Sequence, residues 1–331
     1  MKKIKIAQIG TSLNSHGSDI WSTLSRRSDL FEVVGYALPE GERERFPERM
    51  GVFCGHREMT VGEILADPEI EAVAVETEEI HLTKYARMVA EAGKHLHMEK
   101  PGGLSLCEFR ELIRTLKEKG LAFSLGYMYR FNPEIREAIA RVERGELGRI
   151  YSVEAHMDCY HPVSVREWLR TFPGGMTFFL GCHLIDLIYR IQGKPERVVP
   201  LSTRSGIDGV DAEDIGMAVF QYPNGVSFLK TSAVERGGFL RRQLVICGER
   251  GTIEIRPLEL YEDDKLYTEA AEATSDTWLA TWEGHRSAPF GRYDAMMENF
   301  AKIVRGKENP YGYDYELSLY ELVLKACGKE E

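Results

Sequence analysis

Lys100 stands in the tripeptide Glu99-Lys100-Pro101, directly after the short β-rich run His95 to Met98. Pro101 fixes the chain direction there and keeps Lys100 out of a helix. A lysine partly desolvated beside another cationic group has its pKa drawn down from about 10.4 towards neutrality, which suits proton transfer. Taken alone, the tripeptide reads rather as an exposed lysine after a strand. A second candidate set is Gly10-Thr11-Ser12-Leu13-Asn14-Ser15-His16-Gly17, which follows the apolar run Ile4 to Ile9. Gly10 supplies a tight turn, and Thr11, Ser12, Asn14, Ser15 and His16 supply donors for the phosphates of a dinucleotide at a helix N-terminus. The spacing is not G-x-G-x-x-G, because Ser12 stands where a second glycine would let the backbone approach the phosphates. A plain turn with a helix cap is the competing reading. Trp168 and Arg170, just before Gly174-Gly175, pair an aromatic face with a guanidinium. Such a pair suits a sugar ring or a carboxylate-bearing polyol, and suits ordinary packing equally well.

These residues need a scaffold, and the first 125 residues supply one pattern of it. Short β-rich runs alternate with amphipathic stretches: strands over Ile4–Ile9, Phe31–Ala37, Ile70–Val75, His95–Met98 and Ala122–Leu125, with helices over Ser18–Ser28, Glu42–Met50, Leu82–Glu91 and Leu106–Lys119. A short helix is predicted over Val61–Leu65. This is the signature of βαβ units in a doubly wound parallel sheet, an α/β Rossmann domain over residues 1–125. Both candidate sets follow strands at the sheet edge where such folds bind ligands. A carboxylate for the adenosine ribose is normally found about 20 residues past the glycines. Ala37-Leu38-Pro39 occupies that turn, with Glu40 nearby and Arg43 and Arg45 available to a 2'-phosphate, so NAD and NADP both stay open. Residues 126–331 change pattern to one helix, Pro133–Arg144, then strands with hairpin turns at Pro223-Asn224-Gly225 and Gly248-Glu249-Arg250. The second domain is therefore expected to be α+β with a mainly antiparallel open sheet, the acidic stretch Glu262–Thr274 a solvated loop or edge, and helices near Arg292–Val304 and Tyr315–Ala326 the close.

Length and composition bound the function classes. A chain of 331 residues suits two domains. Its net charge of −10, with no basic cluster, argues against a nucleic-acid partner. The six scattered cysteines form no C-x-x-C pair and no metal-site spacing, so no metal is expected and a reducing compartment is. The apolar run after Met1-Lys2-Lys3 is too short for a secretory signal, and nothing approaches the roughly 18 apolar residues of a membrane span. A soluble, cytoplasmic protein without a membrane partner is expected.

The order and spacing of several short pieces resemble the glucose-fructose oxidoreductase, inositol dehydrogenase and rhizopine catabolism family (Gfo/Idh/MocA). These are Val73-Ala74-Val75-Glu76-Thr77 followed by His81, and Glu91-Ala92-Gly93-Lys94-His95 leading to Glu99-Lys100-Pro101. Further on come Gly126-Tyr127, Arg130-Phe131-Asn132-Pro133, Gly145-Glu146-Leu147-Gly148-Arg149-Ile150, and Gly174-Gly175 before Gly181-Cys182-His183-Leu184-Ile185-Asp186. The resemblance covers nearly the whole chain. It implies that Lys100 holds the reacting hydroxyl and the nicotinamide and that His183 is the acid/base. It also implies that Thr77, Glu78, His81 and Glu99 line the cofactor and that Tyr127 and Arg130 face the substrate. The activity implied is hydride transfer between NAD or NADP and a secondary hydroxyl or ketone of a sugar, cyclitol or sugar acid. The open sheet face is implied to join copies into a homo-oligomer, a dimer or tetramer.

The sequence departs from the family pattern in its shortened glycine loop, in the missing ribose acid, and at Phe179. The position four before the histidine is often an aspartate that stabilises the imidazolium. Asp158, His156 and Glu154 on the run Ser152–Tyr160 are candidates for that task, as a polar strand face at a subunit interface is for them; Asp186, one turn after His183, either orients it or is structural. An NAD-using glycosidase of this fold and a non-catalytic cofactor- or sugar-sensing regulator remain as alternatives.

Overall fold

The computed structural model describes residues 2–329 and divides them into two compact units. The first runs to Tyr127 and includes the later segment Tyr293–Tyr320; the second takes Met128–Arg292 and the chain from Glu321. The linear division at residue 125 left the helix Asp294–Val304 with the second domain, whereas this helix packs in the first unit, where Phe300 lies against His97.

Unit one is a five-stranded parallel sheet in the order β2-β1-β3-β4-β5. Its elements are β1 (Ile4–Ile9), α1 (Gly17–Arg26), β2 (Phe31–Ala37), α2 (Glu42–Arg45), α3 (Val61–Ala66), β3 (Ala72–Val75), α4 (Glu79–Glu91), β4 (His95–Met98), α5 (Leu106–Lys119) and β5 (Phe123–Leu125). β3 is buried along its whole length, as a strand of a sheet covered on both faces must be. The chain winds from β1 to β2 on one side and then to β3 on the other, so the crevice beyond β1 and β3 is the switch point where such sheets take ligands.

Two boundaries differ from expectation for local reasons. The helix expected over Glu42–Met50 stops at Arg45, since Phe46 precedes Pro47 and is pushed out of the helical region (φ −132°, ψ 56°); a tighter helical turn then covers Pro47–Phe53. Helix α4 starts at Glu79, three residues before Leu82, which places Glu79 in its first turn near the positive end of the helix dipole.

Unit two holds α6 (Pro133–Glu143), β6 (Ile150–Asp158), α7 (Val163–Trp168), α8 (Cys182–Gln192), β7 (Arg197–Pro200), β8 (Ile215–Tyr222), β9 (Gly225–Ser232), β10 (Gln243–Gly248), β11 (Gly251–Ile255), β12 (Leu260–Glu262), β13 (Lys265–Tyr267), β14 (Glu269–Ala273) and β15 (Glu283–Arg286). Eight strands form one sheet, β15-β14-β11-β10-β6-β9-β8-β7, antiparallel except for the β6–β9 pair. Over residues 262–274, expected as a solvated loop or edge, the structure has strands near the sheet edge: β14 pairs with β11 and with the edge strand β15, and β12 pairs with β13 as a separate hairpin. The β8–β9 hairpin closes with Tyr222 opposite Gly225, so Pro223-Asn224 is the two-residue turn. Proline's fixed negative φ excludes the mirror-image turn that an Asn-Gly pair would make. No described helix is long and apolar enough to cross a membrane.

Candidate functional site

In unit one the crevice beyond β1 and β3 is built by close backbone contact. Gly10 has φ +89°, and a Cβ on it would lie 2.4 Å from the Thr77 methyl and 2.7 Å from the Thr77 nitrogen. No other residue fits there. The loop that follows is held by its own side chains and by the neighbouring strands. The Ser12 amide donates to the Glu76 carbonyl (3.1 Å) and to Ser15 Oγ (3.1 Å), and the Asn14 amide to Ser12 Oγ (3.2 Å). The Gly17 amide donates to Ser15 Oγ (3.2 Å). The Thr11 amide donates to the Glu42 carboxyl at 3.0 Å. The amides of Leu13 and Ser15 make no hydrogen bond among the described residues and remain as donors. A glycine turn that only glycine can make, opening on two unspent amides before α1, fits a phosphate-bearing dinucleotide, with fewer donors than G-x-G-x-x-G provides.

Glu99 ties β4 to this loop. Its Oε2 accepts from the His16 amide (3.1 Å) and lies 3.1 Å from His16 Nδ1, while its Oε1 accepts from the Lys100 amide (2.8 Å). Gly126 gives it room, since a Cβ there would come within 3.1 Å of Oε1. Lys100 is 1 % exposed. Burial works against the Glu99 charge, but His16, its hydrogen bonds and the Lys100 ammonium hold the carboxyl well below the ordinary range. The neighbouring carboxyls go the other way. Burial, and then the charge of Glu99, push Glu76 well above the ordinary range, and burial lifts Glu79 to about 7. Neither oxygen of Glu76 or of Glu79 has a hydrogen-bond partner among the described residues. His97 Nε2 lies 3.6 Å from Glu76 Oε1, and burial lowers this histidine to about 4. Lys100 thus sits among one ionised carboxylate and two that burial favours as neutral acids.

The remaining cofactor candidates lie around the start of α4. Thr77 is fully buried; Glu78 is the residue before the helix and accepts from Arg45 (2.6 Å); His81 lies in the first turn, its Nδ1 3.9 Å from Glu40. Glu40 accepts from Lys84 and Tyr85, each at 2.6 Å, and Arg43 is held by Glu58 and Tyr36. Tyr127 ends the first segment of this unit and is buried.

In unit two His183 is the second residue of α8, 2 % exposed, and the preceding Thr177–Gly181 forms a π-helical turn. The ring of Tyr129 meets the imidazole edge to face at 5.2 Å. The Tyr129 hydroxyl donates to Glu259 (2.6 Å) and accepts from Arg242 (3.1 Å), and Arg292 also donates to Glu259. Glu259 is buried, yet these guanidinium groups and the Tyr129 hydroxyl keep it below the ordinary carboxylate range. Arg130 makes a buried two-pronged pair with Asp186 (2.9 and 2.8 Å). The guanidinium offered by the sequence to substrate is engaged by this carboxylate, and the carboxylate offered to His183 is engaged by the guanidinium. Asn132 caps α6 through the Glu134 and Ile135 amides, with Pro133 as its first residue, so Asn132-Pro133 has a local structural role.

Trp168 is half-buried with its ring against Phe172 (4.6 Å) and Phe179 (5.1 Å), and Arg170 is exposed. Glu154, His156 and Asp158 share the face of β6 opposite to buried Val153, Ala155 and Met157. Asp158 accepts from Lys230 (3.1 Å), and His156 packs on Phe228. Glu154 and His156 lie on the outer sheet face, and Asp158 is buried at its end. Sequence reasoning missed Glu42, Glu76, Glu79 and Tyr129. A carboxylate directly after the apolar run Ala72–Val75 was the available signal for Glu76; Glu42 and Tyr129 gave none, because their partners are distant in sequence. No group of described residues is arranged to hold a metal ion.

Residues 4–127 match an oxidoreductase family described by its NAD-binding Rossmann fold, and residues 135–254 match the GFO/IDH/MocA C-terminal domain. The uncharacterized oxidoreductase YhhX of Escherichia coli (strain K12) is 30% identical over 216 residues, 63% of this chain and 60% of the relative. The uncharacterized oxidoreductase ORF334 of Rhizobium meliloti is 29% identical over 327 residues, 96% of this chain and 94% of the relative. A solved levoglucosan dehydrogenase, in complex with NADH and levoglucosan, superposes with a TM-score of 0.80 at 18% identity, covering 100% of this chain and 98% of that one, which shows a common fold.

Proposed function

Since this chain belongs to the Gfo/Idh/MocA oxidoreductase family, we propose that it transfers a hydride between NAD or NADP and a secondary hydroxyl or ketone of a sugar, cyclitol or sugar acid. The observation that carries this is Lys100, 1 % exposed at the ligand-binding end of β4, in the same unit as a glycine turn that no side chain could enter. Desolvating an ammonium is costly, and such groups are kept where they act on a ligand. A bound nicotinamide supplies the hydride acceptor or donor. Lys100 donates a hydrogen bond to the reacting oxygen and orients it. His183 takes the hydroxyl proton on oxidation and returns it on reduction, its ring steered by the Tyr129 edge. Thr77, Glu78, His81 and the Gly10–His16 loop hold the dinucleotide. The sugar class follows the levoglucosan ligand of the structural neighbour and the aromatic and guanidinium pair at Trp168 and Arg170. Copies pair through the half-exposed face of the large sheet, where Met217, Val219, Phe228 and Val245 lie, and the protein works in the cytoplasm.

The test is a fluorescence titration with NADH and NADPH, followed by a screen of polyols and aldoses. Binding of at least one dinucleotide is expected; binding of neither sinks this function. Lys100→Ala is then expected to leave the fold intact by circular dichroism and to remove turnover, a loss of about 100-fold or more in kcat.

A further inference from the structure

The carboxylate missing from the end of β2 is restored from further along the chain. After Ala37, Glu40 (φ 58°) and Gly41 (φ 68°) both take left-handed conformations, and the chain swings back so that Glu42 opens α2 with its side chain 1 % exposed. Its Oε2 accepts the Thr11 N–H at 3.0 Å. The Gly10 amide donates to the Ala37 carbonyl at 2.8 Å, so the ends of β1 and β2 lie side by side and the Glu42 carboxyl stands directly beyond them. In a doubly wound dinucleotide domain this is the place of the adenosine ribose, next to the glycine turn and over the end of the second strand.

Glu42 is also short of partners. Oε1 makes no hydrogen bond among the described residues, so a buried carboxyl has one donor where it can take several. Burial accordingly pushes it to about 8, against the pull of the Thr11 amide and Arg45, with Glu78 and Glu40 adding to the rise. Vicinal hydroxyls are the donors that such an acceptor lacks. A 2'-phosphate is the reverse, an anion brought onto a carboxyl that has Glu40 and Glu78 around it. Of the nearby cations, Arg43 is engaged by Glu58 and Tyr36 and Arg45 by Glu78, while Arg49 donates to the Leu13 carbonyl of the glycine loop. Glu40, the nearer acid by sequence, is held by Lys84 and Tyr85.

We infer that Glu42 receives the adenosine ribose hydroxyls and makes this chain select NAD over NADP. This rests on the proposed dinucleotide-dependent function, and the experiment separates the two. Wild-type protein is titrated with NADH and with NADPH by fluorescence, and NADH is displaced with 5'-AMP and with adenosine 2',5'-bisphosphate. NADH is expected to bind at least about tenfold tighter than NADPH, equivalent to about 1.4 kcal/mol, and only 5'-AMP is expected to compete at comparable concentration. Glu42→Gln keeps an acceptor for the Thr11 N–H and cannot ionise; titrated at pH 9, where the wild-type carboxyl is ionised, it is expected to narrow the NADH-to-NADPH preference about tenfold, chiefly by strengthening NADPH. Equal or tighter NADPH binding by the wild type overturns the inference and leaves the oxidoreductase function standing, as does an unchanged preference in folded Glu42→Gln. Binding of neither dinucleotide overturns both. If Glu42→Gln does not fold, the wild-type competition with the two adenosine phosphates decides.

Discussion

Both units bury carboxylates, and the groups of them nearest the candidate residues are treated in opposite ways. In unit two Asp186 has both prongs of Arg130, Glu259 has Tyr129, Arg242 and Arg292, and Asp214 accepts from the Ser205 amide and hydroxyl beside Arg166, although Asp158 on the large sheet has Lys230 on one oxygen only. In unit one Glu76 and Glu79 have no hydrogen-bond partner among the described residues, and Glu42 has one. A paired buried charge holds elements in place, and a unit carrying it is finished without a ligand. A buried carboxyl without a partner costs stability when it ionises, and groups of that kind recur at sites that bind hydroxyls and charge. The difference teaches that unit two supplies a set frame for His183, while unit one keeps its capacity for hydrogen bonding in reserve.

The largest effect expected from breaking this contrast is at Arg130. Arg130→Met removes one partner of a pair in which both side chains are about as buried as a core leucine, and takes both guanidinium prongs from Asp186. Stability should fall by about 3 to 5 kcal/mol in a denaturant titration. A loss under about 1 kcal/mol would mean that the pair is not what holds α8, and the contrast between the units would fail.

Removing a carboxylate from unit one should act with the opposite sign. Glu79 has its folded pKa raised to about 7 from the ordinary 4.5. Between those values the folded chain holds a proton that the unfolded chain has lost, so stability falls as pH rises through the window and the full cost is reached above pH 7. Glu79→Gln should therefore stabilise the protein by about 2 to 3 kcal/mol more at pH 8 than at pH 5, measured as the shift in urea midpoint at the two values. Equal effects at both pH values would show that the side chain ionises freely and that its burial costs nothing.

How far all this was legible in the sequence follows from how local each feature is. The parallel sheet, the Gly10 turn and the helix ends at Gly120 and Asn132-Pro133 are written in neighbouring residues, through apolar runs, a positive φ and a side-chain cap, and the strands Phe31–Ala37 and His95–Met98 were placed to the residue. Strands β12 to β14 were hidden by their charged residues, because a strand of an antiparallel sheet with one solvated face needs only one apolar face. Lys100 and His183 were singled out as candidates through motif spacing. The partners that set their surroundings were not, since the Thr11–Glu42 contact spans 31 residues and the Tyr129–Glu259 contact 130. Arg130 and Asp186 were both noticed and given separate tasks; their pairing depends on how α8 packs, and no spacing within the chain announces it.

The smallest effect is the most specific probe of the frame around His183. Tyr129→Phe keeps the ring edge against the imidazole and deletes only the hydroxyl, which donates to Glu259 and accepts from Arg242. Glu259 keeps both guanidinium groups, so no charge is stranded, and the cost should be near the low end for a hydrogen bond to a charged group, about 1.5 kcal/mol. Thermal or urea unfolding measures it. If unit two is a finished frame, the ring should stay where it is and the loss should be nearly independent of pH between 6 and 8, because the neighbouring Glu259 remains ionised across that range. A loss that grows or vanishes across this range would place a titrating group in the network and make unit two resemble unit one.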